Sequence, residues 1–183
     1  HDSNLRWSSS GEIKKVLNDL NFGDADKFDI SLSYTPKLED LLSAVAIDDN
    51  RKTKVIISTM TNNAKDHQPV SKCQFLLTKA VTILKTQTLA MNIIFLESPP
   101  SLKFDIFPFN QMAFHLCKKS GMAFSLNLLA RPHIKSDGLH IKSPFKHLML
   151  ESVAAAILGK EPYSILGLIP PLRHPVFQIN FHG

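Results

Sequence analysis

Lys135-Ser136-Asp137-Gly138-Leu139-His140-Ile141-Lys142-Ser143-Pro144, followed by Phe145 to Leu158, is the stretch from which the rest of the chain is best read. An aspartate and a histidine stand three residues apart immediately before a helix start. Ser143 is a suitable N-cap, and Pro144 suits the first helical position, where its missing N–H is no loss. Phe145, Leu148, Met149, Val153, Ala156 and Ile157 recur at helical spacing, and Gly159 supplies the stop.

Upstream of this stretch, apolar runs of two kinds alternate. Ser9 and Glu12 are spaced as a capping box ahead of Ile13, Val16, Leu17 and Leu20 on one helical face. Phe28 to Leu32 alternates apolar and polar residues and predicts a short strand. Leu38, Leu41, Leu42 and Val45 predict a short helix. Lys54 to Met60 contains the β-branched run Val55-Ile56-Ile57, suited to a strand buried on both faces, Met91 to Leu96 is predicted as another buried strand, and Met122 to Leu126 as the last core strand. Helices are predicted over 69–86, around Phe109 to Cys117 with Gly121 as the stop, and over 145–158. Strands alternating with helices of this length predict an α/β fold, a three-layer sandwich with a mostly parallel central sheet. Sites in such sheets lie at the carboxyl ends of the strands. Ser33-Tyr34-Thr35, Thr61-Asn62-Asn63 and the Asp137–His140 pair all follow predicted strands.

The chain of 183 residues fits one domain over 1–183, with a core in 1–160 and a proline-rich, apolar extension over 161–183 expected to pack on it. With 44% hydrophobic and 20% charged residues it reads as globular, with no run long enough to cross a bilayer and no signal peptide at its start. Cys73 and Cys117 fall among apolar helical neighbours, which predicts buried free thiols and favours a reducing, cytoplasmic setting. The eight histidines form no ligand-spaced pairs with cysteine, so neither a metal nor another cofactor is expected.

The order of these pieces resembles the SGNH (GDSL-type) hydrolase superfamily over almost the whole chain. That family carries a nucleophilic Ser in a Gly-Asp-Ser turn, a Gly after its second strand, an Asn after its third, and Asp-x-x-His before its last helix. The resemblance implies Ser3 as nucleophile, Asn62 or Asn63 as oxyanion donor, His140 as base and Asp137 as the residue orienting it. Two departures weigh against activity. The first motif reads His1-Asp2-Ser3, where the tight turn loses its glycine. The second reads Ser33-Tyr34-Thr35-Pro36, where Tyr34 is bulky and Pro36 has no N–H. Each oxyanion donor lost costs about 10²–10³ in rate. The four residues are therefore read as vestiges: Ser3 as a surface serine, His140 as a loop-pinning group.

A net charge of +5 and an isoelectric point near 9.2 are compatible with a polyanionic partner. An eroded, basic member of this superfamily is similar to the OSK domain of insect germ-plasm organisers. That resemblance implies RNA binding without catalysis, with messenger RNA and its 3′ untranslated regions, other germ-granule proteins and cytoplasmic ribonucleoprotein granules as the expected partners and place. The candidate phosphate contacts are Arg131, Lys135, Lys142 and Lys146 around the Asp137–His140 loop, Arg51, Lys52 and Lys54 at a strand start, Arg6 beside the first motif, and Arg173 in the tail. Trp7, Tyr34 and Phe145 are the aromatic side chains near them, too few for a base-by-base code. The alternative reading is a working serine esterase. A third is an interaction scaffold that uses the apolar tail from Ile165 to Phe181.

Overall fold

The structure is a computed structural model and describes residues 8–20, 28–44 and 53–169. It is mixed α/β, with a three-stranded parallel sheet in the order β1-β2-β3. The strands are β1 (Val55–Ile57), β2 (Ile93–Leu96) and β3 (Ala123–Ser125). Val55 pairs with Ile93 and Ile94 with Ala123, so the central strand is laddered on both edges and buried at every residue.

Seven α-helices surround the sheet among the described residues: α1 (Ser10–Asp19), α2 (Leu38–Ala44), α3 (Thr61–Lys65), α4 (Val70–Gln87), α5 (Phe107–Ser120), α6 (Lys146–Leu158) and α7 (Pro162–Ile165). Two apolar cores follow from the two-residue period of the strands. Ile57, Ile93 and Phe95 join α2, α4 and α5 in one core. Leu96, with half-buried Ile56, joins α1 and α6 in the other. The crossover helices α4 and α5 share a side for a topological reason. Strands added in one direction by connections of one hand leave every crossover on the same face.

Local chemistry sets the ends of these elements. Ser9 accepts from the Glu12 amide while the Glu12 carboxylate accepts from the Ser9 amide, the capping box predicted for α1. Gly121 and Gly159 end α5 and α6 at φ +72° and +65°, in the left-handed region where glycine meets no Cβ penalty. Helix α6 is buried nearly all round, at Met149, Ser152 and Val153 to Ile157, because it sits between α1 and the sheet. Cys73 and Cys117 are buried and free, as expected, and burial pushes their thiols up to about 11 and about 12.

Three local expectations change. Phe28 and Ile30 do pack against the second core, but residues 28–32 form no strand, since no described strand lies beside them to complete a ladder. Thr61-Asn62-Asn63 is the first turn of α3, entered through Met60 at φ +102°. Ser143 does not cap α6 through its side chain. Ser143–Phe145 forms a 3₁₀ turn, and the α-helix begins at Lys146 with its leading amides lacking a side-chain cap.

A polar knot fixes the exit of β1. Asn63, fully buried, accepts from the Leu38 amide and donates to Glu39 and Gln68, while Gln68 also donates to Glu39. Partial burial alone would raise the Glu39 carboxyl. Hydrogen bonds from Lys72, its own amide, Asn63 and Gln68 outweigh that and bring it down to about 2. The carboxylate therefore stabilises the fold fully above the ordinary value of 4.5 and loses that contribution as the pH falls toward 2. Glu39→Gln is expected to flatten the acid limb of stability in this window while changing the neutral-pH value less. Urea midpoints followed by circular dichroism from pH 5 to pH 2 check this, and an unchanged acid limb would refute it.

Candidate functional site

The carboxyl ends of β2 and β3 are joined by buried hydrogen bonds. The Asn127 amide donates to the Glu97 carboxylate at 2.9 Å, and the Asn127 side chain donates to the Glu97 carbonyl at 3.1 Å. The Leu129 amide donates to Asn127 Oδ1, the Leu128 amide to Ser152 Oγ, and the Tyr163 hydroxyl to the Asn127 carbonyl. Glu97, Asn127, Ser152 and Tyr163 are all buried, so these bonds form away from competing water.

From this anchor the chain runs into a narrow loop. Ile134 and Ile141 form an antiparallel bridge, the Lys135 amide donates to the His140 carbonyl, and the Lys142 amide donates to the His133 carbonyl. At the tip, Gly138 takes φ +78°, and its carbonyl accepts from Ser101 Oγ at 2.8 Å and from the Leu102 amide at 3.1 Å. A Cβ on Gly138 would come within 2.6 Å of Lys103 Cγ, so glycine is required twice, by backbone conformation and by space.

Asp137 and His140 stand together at this tip. His140 Nδ1 lies 2.9 Å from Asp137 Oδ2, and Asp137 Oδ1 accepts from the amides of Leu139 and His140. Those two backbone amides, outweighing slight burial and joined by the His140 ring, hold the Asp137 carboxyl well below the usual carboxylate range. Both side chains are exposed, at 44% and 51%. The pair thus has the geometry in which a carboxylate orients an imidazole and leaves Nε2 outward. Asn62 donates to the Pro36 carbonyl at 3.0 Å, and Asn63 belongs to the knot at the exit of β1. Ser3 lies outside the described residues, as do Arg6, Trp7, Arg51, Lys52 and Arg173.

The candidate phosphate contacts among the described residues fall into two places. Lys54 donates to the Ile157 carbonyl at 2.7 Å, the favourable end of the α6 dipole and the amino end of the sheet. Arg131, Lys135, Lys142 and Lys146 are exposed around the loop and the start of α6. The bridge brings their backbone segments together, and Lys142 donates to the Pro132 carbonyl at 2.7 Å. The His133 ring lies 4.4 Å from the Phe145 ring, and its Nδ1 accepts from the Ala130 amide, so neutral His133 carries its proton on Nε2. Desolvation, then repulsion from Lys142 and His147, lowers its pKa. The stretch 130–147 holds four Lys and Arg residues against the single carboxylate of Asp137, a large share of the net charge of the chain.

Ser101, Glu97, Asn127 and Tyr163 were not legible as site-positioning residues in the sequence. Ser101 follows a proline pair that reads only as a strand terminator, and a lone Glu after a strand carries no spacing signal. Among the described residues no three His, Cys, Asp or Glu side chains converge as a metal site, and no helix is long and apolar enough to cross a membrane.

None of the protein-family models, curated proteins or solved structures compared with the chain matches it.

Asp137→Ala removes the acceptor for two amides and a ring. It is expected to cost about 1 kcal/mol after allowance for solvent screening. The Leu139 and His140 amides should then exchange with solvent faster, while the core strands are unaffected. Site-resolved hydrogen exchange checks this, and unchanged protection at both amides would show that the loop is held without the carboxylate.

Proposed function

We propose that the chain is a non-catalytic RNA-binding domain on an SGNH-hydrolase-like, three-layer α/β scaffold, contacting RNA through the basic surface around 131–146. The observation that carries this reading is the collection of Arg131, Lys135, Lys142 and Lys146 at one loop–helix junction where Asp137, the one carboxylate of the stretch 130–147, is already engaged by His140. Three further features support it. The amides that open α6 have no side-chain cap, and the positive end of its dipole coincides with Lys146 and His147, an arrangement that favours phosphate. The His133–Phe145 ring pair puts aromatic surface beside the cations. Asn62, one of the two oxyanion candidates, already donates to Pro36. Messenger RNA, including 3′ untranslated regions, and germ-granule partners in cytoplasmic ribonucleoprotein granules belong to this proposal as the resemblance implies them.

Binding of a fluorescent single-stranded RNA should weaken with salt at a slope of about −0.7 per phosphate contacted. Lys135→Glu with Lys146→Glu should weaken it on the order of tenfold or more and flatten that slope, whereas Lys118→Glu at the far end of α5 should have little effect. Retention no better than that of a neutral protein, or equal losses from the control, would remove this reading.

A second reading is favoured by the 2.9 Å Asp137–His140 contact: an acyl hydrolase with Ser3 as nucleophile, His140 as base and Asp137 as its orienting group. It requires turnover of a short acyl ester that Ser3→Ala and His140→Ala each abolish. Turnover independent of Ser3 would count against it.

A further inference from the structure

Three steps in the chain place a hydroxyl residue directly before proline: Thr35-Pro36, Ser98-Pro99 and Ser143-Pro144. The fold separates them. Thr35 and Ser98 are buried, at 4% and 3% exposed, and the Ser98 hydroxyl donates to the Thr59 carbonyl at 2.9 Å. Ser143, Pro144 and Lys146 are all exposed. The Ser143 hydroxyl caps neither the 3₁₀ turn nor α6, so it is not committed to the helix end that its position suggests. Lys146 stands three residues after Ser143. Leu38 and Ser101 hold the corresponding places after Thr35 and Ser98, so the exposed step is also the one followed by a cation at this spacing.

An exposed hydroxyl followed by proline and, three residues on, by lysine is substrate chemistry for a proline-directed protein kinase. Proline offers no N–H, so it suits an active site that needs no donor at the position after the hydroxyl. The lysine offers a charge to an acidic pocket beside that site. The Ser143–Phe145 turn is held by the Phe145 amide on the Lys142 carbonyl at 2.9 Å and by the Lys146 amide on the Ser143 carbonyl. Short 3₁₀ turns at helix starts open at the low end of local unfolding free energies, so the segment can enter a kinase cleft without unfolding the domain.

We propose that Ser143 is a phosphoacceptor for a proline-directed protein kinase and that its phosphate lowers the affinity of the 131–146 surface for RNA. In the transfer, the Ser143 oxygen attacks the γ-phosphorus of ATP as the bond to the β,γ-bridging oxygen breaks. ADP departs, and the hydroxyl proton goes to the catalytic base of the kinase. The effect on RNA rests on the RNA-binding reading, and the modification itself does not. The stretch 130–147 carries four Lys and Arg against the one carboxylate of Asp137, a formal charge of +3. A phosphoserine adds about −1.5 to −2 at pH 7 and brings that total to about +1. Lys142 and Lys146 flank the new charge in the chain, and the Lys142 amide on the His133 carbonyl holds the segment of Arg131 alongside. The phosphate on Ser143 thus competes with RNA phosphates for the same cations.

The test incubates the folded full chain with a purified cyclin-dependent kinase, magnesium and ATP. Mass spectrometry then reads the modified residue, and affinity for a fluorescent single-stranded RNA is measured before and after. Phosphate is expected on Ser143, with Ser143→Ala left unmodified and Lys146→Ala modified several-fold more slowly. The phosphorylated chain should bind RNA on the order of tenfold more weakly, with a shallower salt slope. Kinase treatment should leave the RNA affinity of Ser143→Ala unchanged. If the untreated chain binds RNA and Ser143 takes no phosphate, the proposal falls and the RNA reading stands. It falls too if the phosphate goes to Thr35 or Ser98, which marks an unfolded substrate, or if phosphorylated and untreated chains bind RNA equally. If neither form retains RNA, the RNA reading falls and takes the effect on affinity with it, while phosphate on Ser143 would still establish the modification site.

Discussion

The buried hydrogen bonds between Asn127 and Glu97 are the constraint on which the loop at the carboxyl end of the sheet depends. They tie the exits of two neighbouring parallel strands, and they do so twice, once through the Glu97 side chain and once through its carbonyl. Ser152 from α6 and Tyr163 from α7 attach to the same segment. A loop leaving a strand of three residues would otherwise have little to orient it. Here its root is held from both sides of the sheet edge, and the tip is held again by Ser101 and Leu102 on the Gly138 carbonyl. Polar bonds sheltered from water are strong and directional, which is why a long irregular segment can present a defined surface.

That surface combines two chemistries that pull toward different functions. The Asp137–His140 pair is aligned as in a catalytic relay, yet it is exposed and sits among cations. The lysines and Arg131 around it form a field suited to phosphate, and the uncapped start of α6 adds to it. Asp137 serves both the relay-like geometry and the loop, because it accepts two backbone amides as well as the ring. A carboxylate with that structural duty has a reason to persist whether or not the histidine does chemistry. The Asp-x-x-His spacing therefore has a structural reason of its own, apart from any turnover.

The two cores show how little sheet is needed when strands are buried on both faces. Val55 to Ile57 and Ile93 to Leu96 send alternate side chains into separate helical layers, so a few residues of strand organise helices on both sides. The outer strand is less well served. Helix α6 covers β2 better than β3, and a groove beside Ser125 is the consequence.

The parallel α/β character, the helix stops at Gly121 and Gly159, the capping box at Ser9 and the buried thiols were determined by the sequence itself, because each rests on local periodicity, capping chemistry or burial of an apolar neighbourhood. The Asp137–His140 contact was legible for the same reason, a separation of three residues within one loop. Residues 28–32 were misread because alternation reports a half-buried face and says nothing about whether a partner strand stands alongside. Ser143 was misread because a 3₁₀ turn replaced the first turn of α6. Only tertiary structure decided that Ser101 supports Gly138, that Glu97 and Asn127 lock the loop root, and that Lys54 serves a helix end while four other cations share one junction. Those pairings join residues far apart in the chain, and which of them meet is settled by how the layers pack.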